Sequence, residues 1–435
     1  MAGIGWKLQR MIDRGSLAGT IGAYLTGVAV TSAPWLLTTA VLTSLRIAAR
    51  HAGADFGRVE ALLTVVYAVT VVLSAPVHVV VSRTTADRLY DHHLEAIGAP
   101  LRRAVALTVA GFGVVGIGIV LLMRLPLALA LVGAPPTERY SHSAPMTAVS
   151  GAPGSLLGAL LLARFTPSPA VGYLYGFAAG QLATLALLVR GVARAVPGPA
   201  DERARLLPAF SEYRLLALSA LAFYVSIWAD KVVVYLVQGG AAAAFYAAIA
   251  AVAWFSVIPA FAWIYVQVET VFYQRFRAFY ADLESGAPLR QLKQGAELIS
   301  DEARRILRGA AIVQAAATAV AIAAAPVVMR LVGLSPNATP LFRLAAIGAA
   351  MQVITLLVVL LLYYFDLRRD ALIISTALLG GEAVLTLACI GLRWPPVIGY
   401  LVACAATAML GVMLVRRRLG TLVLDTFQSQ PFGVS

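Results

Sequence analysis

Residues 19–45 read GTIGAYLTGVAVTSAPWLLTTAVLTSL, a run of 27 positions without a charged side chain. An α-helix rises about 1.5 Å per residue, and roughly 20 apolar residues suffice to cross the hydrocarbon core of a bilayer. The run is too long for the apolar core of a signal peptide, and no convincing cleavage site follows it. The sequence therefore predicts a first transmembrane helix here, retained in the protein.

The same pattern recurs along the rest of the 435 residues, of which 60% are apolar and 13% charged. Soluble domains average about 45–50% apolar and about 25% charged residues, so both a water-soluble enzyme and a disordered chain are excluded. Because lipid cannot satisfy an open backbone, we predict an all-α fold, a polytopic membrane helix bundle. The eleven predicted spans are 19–45, 59–82, 104–123, 141–163, 169–190, 215–237, 242–266, 309–331, 341–364, 371–392 and 395–415.

The net charge of +13 comes from 34 basic and 21 acidic residues. The basic residues lie mostly at the ends of apolar segments, which indicates contact with lipid headgroups and not a nucleic-acid partner. By the positive-inside rule, the segments richest in Lys and Arg, and with them both termini, are predicted to be cytoplasmic. These segments are 1–18, 83–103, 190–214, 267–308, 366–369 and 416–435.

A charged, Pro- and Gly-containing stretch at 191–214 divides the chain into an N-terminal lobe, 1–190, and a C-terminal lobe, 215–435. The sequence PAVGYL at 169–174 resembles PVIGYL at 396–401, and such internal repeats are typical of transporters. We therefore expect two pseudo-symmetric lobes. The first lobe shows five spans although two cytoplasmic ends require an even number, so either one segment is re-entrant or one helix is absent.

Two adjacent charges, Asp230 and Lys231, lie within a predicted span. A charge at bilayer depth costs at least about 2.5–3.5 kcal/mol, so such residues are candidates for function. Neighbours on a helix point about 100° apart, so we expect that these two charges cannot simply pair with each other. Each should need a partner on another helix or in a wet cavity. They form either a cavity-lining site for substrate or coupling ion, or an inter-helix salt bridge with Lys231 reaching toward the interface.

Three further polar residues within spans are candidates for contact with substrate or ion. Glu382 has no opposite charge within one turn, so it is either protonated and hydrogen-bonded or faces a cavity. His78 follows Pro76 by two residues and is more typical of a core histidine than of a ligand. Gln352 could bind sugar hydroxyls, although a polar contact between helices is the simpler interpretation.

Motifs for catalysis are absent from the sequence, which contains no GxSxG, HExxH or GxxxxGK[ST]. The two cysteines, Cys389 and Cys404, both fall within apolar runs and indicate neither a disulfide nor a zinc site. The segment 269–280 has an aromatic helical face beside two arginines, which predicts an interfacial helix or a docking surface for a partner protein. We therefore predict a protein that is not an enzyme and uses no cofactor or metal.

Six stretches, in order from the first residue to position 370, resemble the PelG family of Pel exopolysaccharide transporters. They are MAGIGWKL at 1–8, SAPW at 32–35, SRTTADRLY at 82–90, WADK at 228–231, FYQRFRAFY at 272–280 and YFDLRRD at 364–370. The resemblance implies the multidrug/oligosaccharidyl-lipid/polysaccharide exporter superfamily, whose members have twelve spans in two six-helix lobes around a central cavity. It also implies the bacterial inner membrane as location.

The resemblance further implies export of a Pel-like amino-sugar polymer of biofilms from the cytoplasm toward the periplasm. Expected partners are inner-membrane Pel-type proteins and the cytoplasmic glycosyltransferase that makes the polymer. The glycosyltransferase would bind to the segments 83–103 and 267–308. Asp230 and Glu382 would contact amines of the polymer. Alternatives are a lipid-linked oligosaccharide flippase, a cation-coupled drug exporter of the same architecture, or a non-transporting membrane scaffold for the glycosyltransferase.

Overall fold

The computed structural model describes residues 4–51, 57–90, 159–166 and 206–421, together with individual positions in 103–111 and 172–190. Within these ranges all regular structure is helical, which confirms the predicted all-α class. Several predictions fall wholly or largely outside the described residues, so the number of crossings in the first lobe stays open. These are the spans 104–123 and 141–163, part of 169–190, the linker at 191–205 and the tail at 422–435.

The helices are numbered here in chain order. They are α1 (Ile4–Asp13), α2 (Leu17–His51), α3 (Gly57–Tyr90), α4 (Leu206–Glu212), α5 (Arg214–Gln238), α6 (Gly240–Trp254), α7 (Ile258–Gln267), α8 (Tyr273–Glu284), α9 (Leu289–Leu331), α10 (Ala338–Tyr364), α11 (Arg368–Gly391) and α12 (Pro396–Gly420).

Seven helical segments in the described part of the chain are long and apolar enough to cross a membrane. Each of the six spans predicted between residues 215 and 415 coincides with one of them, with at most one residue outside at an end, and α2 covers the predicted first span, 19–45. The segments are Thr64–Arg88, Arg214–Gln238, Gly240–Glu284, Leu289–Leu331, Ala338–Tyr364, Arg368–Gly391 and Pro396–Gly420.

The chain forms two compact units. One comprises Met1–Val28 and Val225–Ser435, and the other comprises Ala29–Tyr224. The first 28 residues thus associate with the C-terminal part of the chain, which the sequence did not indicate. The division into lobes at 191–214 stays a prediction.

Helix α10 is the centre of the unit that contains the C-terminal helices. It packs against α6, α9, α11 and α12. In its most apolar stretch of 18 residues, 72% is buried inside the protein, compared with 22% in the corresponding stretch of α9. Small residues within 345–350 let neighbouring helices approach it closely. The polar side chains of Gln352 and Thr355 on α10 are therefore placed in the protein interior and not against lipid.

The helical segment 240–284 contains two irregular turns. Pro259 has no N–H to donate to the carbonyl of Phe255, which accepts instead from the N–H of Ile258 in a 3₁₀ turn, Phe255–Val257. A π-helical turn, Val268–Phe272, follows eleven residues later. Pro76 likewise lies inside a helix, α3.

The aromatic stretch at 269–280 continues this helical segment, as predicted, and packs on the end of α10. The ring centroid of Phe272 lies 5.3 Å from that of Tyr364 and 5.9 Å from that of Phe365. Phe276 stacks into the same group, with its centroid 4.6 Å from that of Tyr280. These aromatic residues thus join α8 to α10 within one unit.

In the other unit, a hydrogen bond ties the start of α5 to α3. The hydroxyl of Tyr213 donates to Asp87 Oδ2 at 2.5 Å, and Arg83 Nε lies 3.1 Å from Asp87 Oδ1. Burial of the phenol and its bond to Asp87 raise the pKa of Tyr213 above its ordinary value. The hydroxyl therefore remains a proton donor to Asp87 at neutral pH.

Helices α11 and α12 approach each other closely at Gly399. A Cβ at this position would lie 2.5 Å from the backbone carbon of Leu385 and from the backbone nitrogen of Thr386. Backbone atoms of a packed helix cannot move aside as a flexible side chain can. The two helices are therefore in contact because residue 399 has no side chain.

We predict that Gly399→Ala forces α11 and α12 apart and destabilises the protein by about 1–3 kcal/mol. Thermal unfolding of the purified protein in detergent measures this. The matched control is Gly380→Ala on α11, where an added Cβ meets nothing within 4 Å and replacing glycine in a helix gains about 0.5–1 kcal/mol. Equal melting temperatures for the two variants would contradict the close approach.

Candidate functional site

Asp230 and Lys231 form an ion pair on α5, in the interior of the unit. Lys231 Nζ donates to Asp230 Oδ1 at 2.8 Å and to Oδ2 at 3.1 Å. The carboxylate is fully buried, whereas the lysine side chain is 14% exposed. The pair therefore satisfies its own charges at a depth where water is scarce.

The expectation that these neighbours cannot pair with each other is wrong. That argument used only the direction of the Cα–Cβ bonds, which do point apart on a helix. The lysine stem of four methylene groups is long and flexible enough to bring Nζ back over the adjacent carboxylate. The pairing is local, and the partners from other helices add to it.

Tyr246 on α6 and Tyr400 on α12 complete the surroundings of this pair. The hydroxyl of Tyr246 donates to Asp230 Oδ2 at 2.7 Å. Lys231 Nζ lies 6.0 Å from the ring centroid of Tyr246 and 5.4 Å from that of Tyr400, within the range of cation–π attraction. Three helices thus hold the two charges.

Glu382 on α11 lies within the same cluster and is fully buried. Gln352 Nε2 donates to Glu382 Oε1 at 3.4 Å, and the thiol of Cys404 donates to the same oxygen at 3.4 Å. The second oxygen, Oε2, and the hydroxyl oxygen of Thr386 have no hydrogen-bond partner among the described residues. The carboxyl group therefore has one oxygen that this part of the protein leaves unsatisfied.

Tyr400 and Gln352 connect the two acidic groups. The hydroxyl of Tyr400 donates to Gln352 Oε1 at 2.8 Å, while its ring faces Lys231. Asp230 and Lys231 lie close enough to interact electrostatically with Glu382. One ammonium and two carboxyl groups thus share a single buried network, and within the described part of the chain the ammonium is hydrogen-bonded to Asp230 alone.

Gly348 on α10 makes room for the Tyr400 ring. A Cβ at this position would overlap Tyr400 Cε1 and would lie 2.6 Å from Cδ1. The ring is buried, so it cannot retreat into solvent. The absence of a side chain at residue 348 therefore helps to fix the ring beside Lys231.

Four of the five candidates predicted from the sequence meet in this cluster: Asp230, Lys231, Glu382 and Gln352. Gln352 makes polar contacts with Glu382 and Tyr400 on two other helices, which was the simpler of the two interpretations of this residue. His78 belongs to the other unit, where it lies half-buried on α3.

The sequence did not single out Tyr246, Tyr400 or Thr386, and it indicated Cys404 only as part of an apolar run. Tyr246, Tyr400 and Cys404 lie in apolar stretches with no charged neighbour. Thr386 follows Glu382 by four residues, about one helical turn, which is the one signal that the sequence offered. Among the described residues, no group of three or more His, Cys, Asp or Glu could hold a metal ion.

Comparison with known proteins decides the family. The model of the PelG exopolysaccharide exporter (EPS-E) family matches residues 1–134 and 146–427, which is nearly the whole chain. The chain belongs to the PelG exopolysaccharide exporter family. No curated protein sequence matches it.

Solved structures with a similar fold include MATE transporters and a MOP superfamily transporter. A mutant MATE transporter aligns with a TM-score of 0.67 at 13% identity, covering 92% of this chain and 96% of that one. An outward-facing multidrug resistance MATE transporter gives 0.64 at 13%, covering 91% and 96%. A MOP superfamily transporter from Pyrococcus furiosus, whose title describes a binding pocket of reversed polarity, gives 0.63 at 14%, covering 91% and 96%. These similarities establish the fold.

We predict that Lys231→Met and Asp230→Asn each destabilise the protein by about 3–5 kcal/mol, because each leaves one partner of a buried pair uncompensated. The double variant Asp230→Asn/Lys231→Met removes both charges and should unfold closer to the wild type than either single variant. Melting temperatures of the four proteins in detergent measure the coupling. Additive losses would show that the pair does not interact.

Proposed function

We propose that this membrane exporter moves its exopolysaccharide from the cytoplasm across the bacterial inner membrane toward the periplasm, and that the polymer carries amino sugars. The match of the PelG family model to nearly the whole chain carries this proposal. The clustering of basic residues in segments predicted to be cytoplasmic supports the orientation.

In the packing of this structure the buried cluster is closed to the polymer, which suits it to control of transport. Asp230 and Glu382 are both fully buried, and Asp230 already accepts hydrogen bonds from Lys231 and Tyr246. A sugar chain could reach these carboxyl groups only if the helices around them separated. Charge changes within the cluster would act on the packing of α5, α6, α11 and α12 instead.

Glu382 is the member of the cluster that can exchange a proton. An ionised carboxylate here would have no cationic hydrogen-bond donor among the described residues, since Lys231 is bonded to Asp230. Burying an unpaired charge costs several kcal/mol, whereas a neutral carboxyl group is accommodated by Gln352 and Cys404. Uptake and release of a proton at Glu382 would therefore favour different packings of α11 and couple a proton to export.

Glu382→Gln is the decisive variant, because it keeps the shape of the neutral carboxyl group but cannot lose a proton. We expect secreted polysaccharide to fall to the level of cells that lack the protein, while the amount of variant in the membrane stays normal. Secreted polymer normalised to membrane protein measures this. Asp230→Asn, which breaks the ion pair, should also reduce secretion.

The matched control is Glu297→Gln, which makes the same chemical change at an exposed position on α9. It should leave secretion unchanged. Undiminished secretion by both Glu382→Gln and Asp230→Asn at normal protein levels would remove the cluster from the transport mechanism. The family assignment does not depend on that result.

Exposed arginines on α8 and α9 form a surface suited to the cytoplasmic glycosyltransferase that makes the polymer. Arg277, Arg305 and Arg308 are exposed within the segment 267–308, which the positive-inside rule predicts to be cytoplasmic. A basic surface favours a partner with an acidic face and makes the association sensitive to salt.

We expect the variant Arg277→Ser/Arg305→Ser/Arg308→Ser to co-purify less glycosyltransferase, since losing three rim charges weakens binding by roughly tenfold. Quantitative co-purification at low and at moderate salt measures this. The matched control replaces three exposed arginines that lie outside the segments predicted to be cytoplasmic. They are Arg330, Arg343 and Arg393. Equal loss in both triple variants would exclude a docking role for this surface.

A further inference from the structure

The ammonium of Lys231 lies in surroundings that resemble a binding site for a ligand. One carboxylate contacts it through both oxygens, at 2.8 and 3.1 Å. Two tyrosine rings from two other helices lie 6.0 and 5.4 Å away, measured to their centroids. A carboxylate combined with aromatic faces is the arrangement by which proteins recognise ammonium groups on ligands. Asp230, Tyr246 and Tyr400 are called the ammonium cage below.

The residues of the ammonium cage are held in place by contacts that do not involve Lys231. Asp230 is oriented by the Tyr246 hydroxyl at 2.7 Å, and Tyr400 is held by Gln352 at 2.8 Å and by its fit against Gly348. None of these contacts involves Lys231. The three groups would therefore keep their positions around the ammonium after the lysine side chain is removed.

The cage selects for an ammonium over a metal cation. A hard cation requires several oxygen ligands around it, whereas the cage offers one carboxylate and two ring faces. An ammonium donates hydrogen bonds to the carboxylate and is attracted to the rings without losing ligands.

Lys231 is the most exposed member of the group. Its side chain is 14% exposed, whereas Asp230 is fully buried. The lysine stem is flexible, and its departure would leave an unpaired buried carboxylate. A second ammonium that entered as Lys231 left would restore the pairing, so exchange of one ammonium for another costs far less than simple opening.

We propose that the cage is an ammonium-binding site and that Lys231 is its tethered occupant, which a primary ammonium on a ligand can replace. The attribution of that ammonium to an amino sugar of the exported polymer rests on the proposed function. The site itself does not, because it follows from the geometry around Lys231. A binding experiment without transport therefore tests the site separately.

The test is chemical rescue of Lys231→Ala by propylammonium. This ion supplies the three carbons and the ammonium that the substitution removes, and it would enter the emptied cage. At saturating propylammonium we expect the apparent melting temperature of the variant to rise by roughly 2–4 °C or more, with no such rise for the wild type. Sodium chloride and propanol at equal concentration separate the effects of charge and of the alkyl chain.

Two controls distinguish the cage from general effects of the amine. Lys293→Ala removes an exposed lysine on α9 and should gain nothing from propylammonium. Asp230→Asn/Lys231→Ala removes the carboxylate as well and should lose the rescue. Stabilisation of all variants alike, or an equal effect of sodium chloride, would overturn the proposal.

If Lys231→Ala is not recovered folded, it is expressed and purified with and without propylammonium, alongside Lys231→Ser. Recovery of folded protein only in the presence of the amine would support the cage. If the amine changes neither recovery nor stability for either variant, the ion pair of Asp230 and Lys231 is structural and the proposal fails.

Discussion

A charged side chain within a bilayer has no bulk water to solvate it, and the C-terminal helices of this protein are organised around that constraint. The ion pair of Asp230 and Lys231 is the solution at the centre of the unit. Its carboxylate is bonded by Lys231 and by Tyr246, and its ammonium is covered by two tyrosine rings. These contacts require α5, α6 and α12 to stand in one fixed arrangement, so the packing of these helices and the pairing of the charges depend on each other.

The central helix α10 makes this arrangement possible. Its small residues bring neighbouring helices close, and Gly348 leaves room for the ring of Tyr400. Gln352 then bridges Tyr400 and Glu382, which lie on different helices. A membrane bundle gains little from apolar packing against lipid, so close contacts between backbones and shared polar groups supply the specificity. The polar network is thus part of the packing as well as a site.

The family match and the structural similarity give different information about the function. The family model identifies an exopolysaccharide exporter, whereas the MATE structures share the architecture at 13–14% identity, where side chains differ at most positions. The chemistry must therefore be read from this chain. It holds two carboxyl groups with one ammonium near both, and among the described residues one oxygen of Glu382 has no partner. Such an imbalance of charge in a dry interior is resolved by a proton or by a second cation, which is the physical basis for both proposals about this cluster.

The sequence by itself determined the class of the protein and most of its helices. Long apolar runs such as 341–364 permit only helices in lipid, because every backbone group must be bonded within its own segment. The cost of burying charge also singled out Asp230, Lys231 and Glu382. Tertiary structure alone decided what these residues touch, since Tyr246, Gln352 and Tyr400 are brought to them from other helices. Asp230 and Lys231 pair with each other, contrary to the prediction, because a flexible lysine stem can bend back although the Cα–Cβ bonds of the two residues point apart. The sequence pattern within one helix does not show which side chains of other helices contact it. The partners of a single polar residue in an apolar run are therefore decided only when the helices pack.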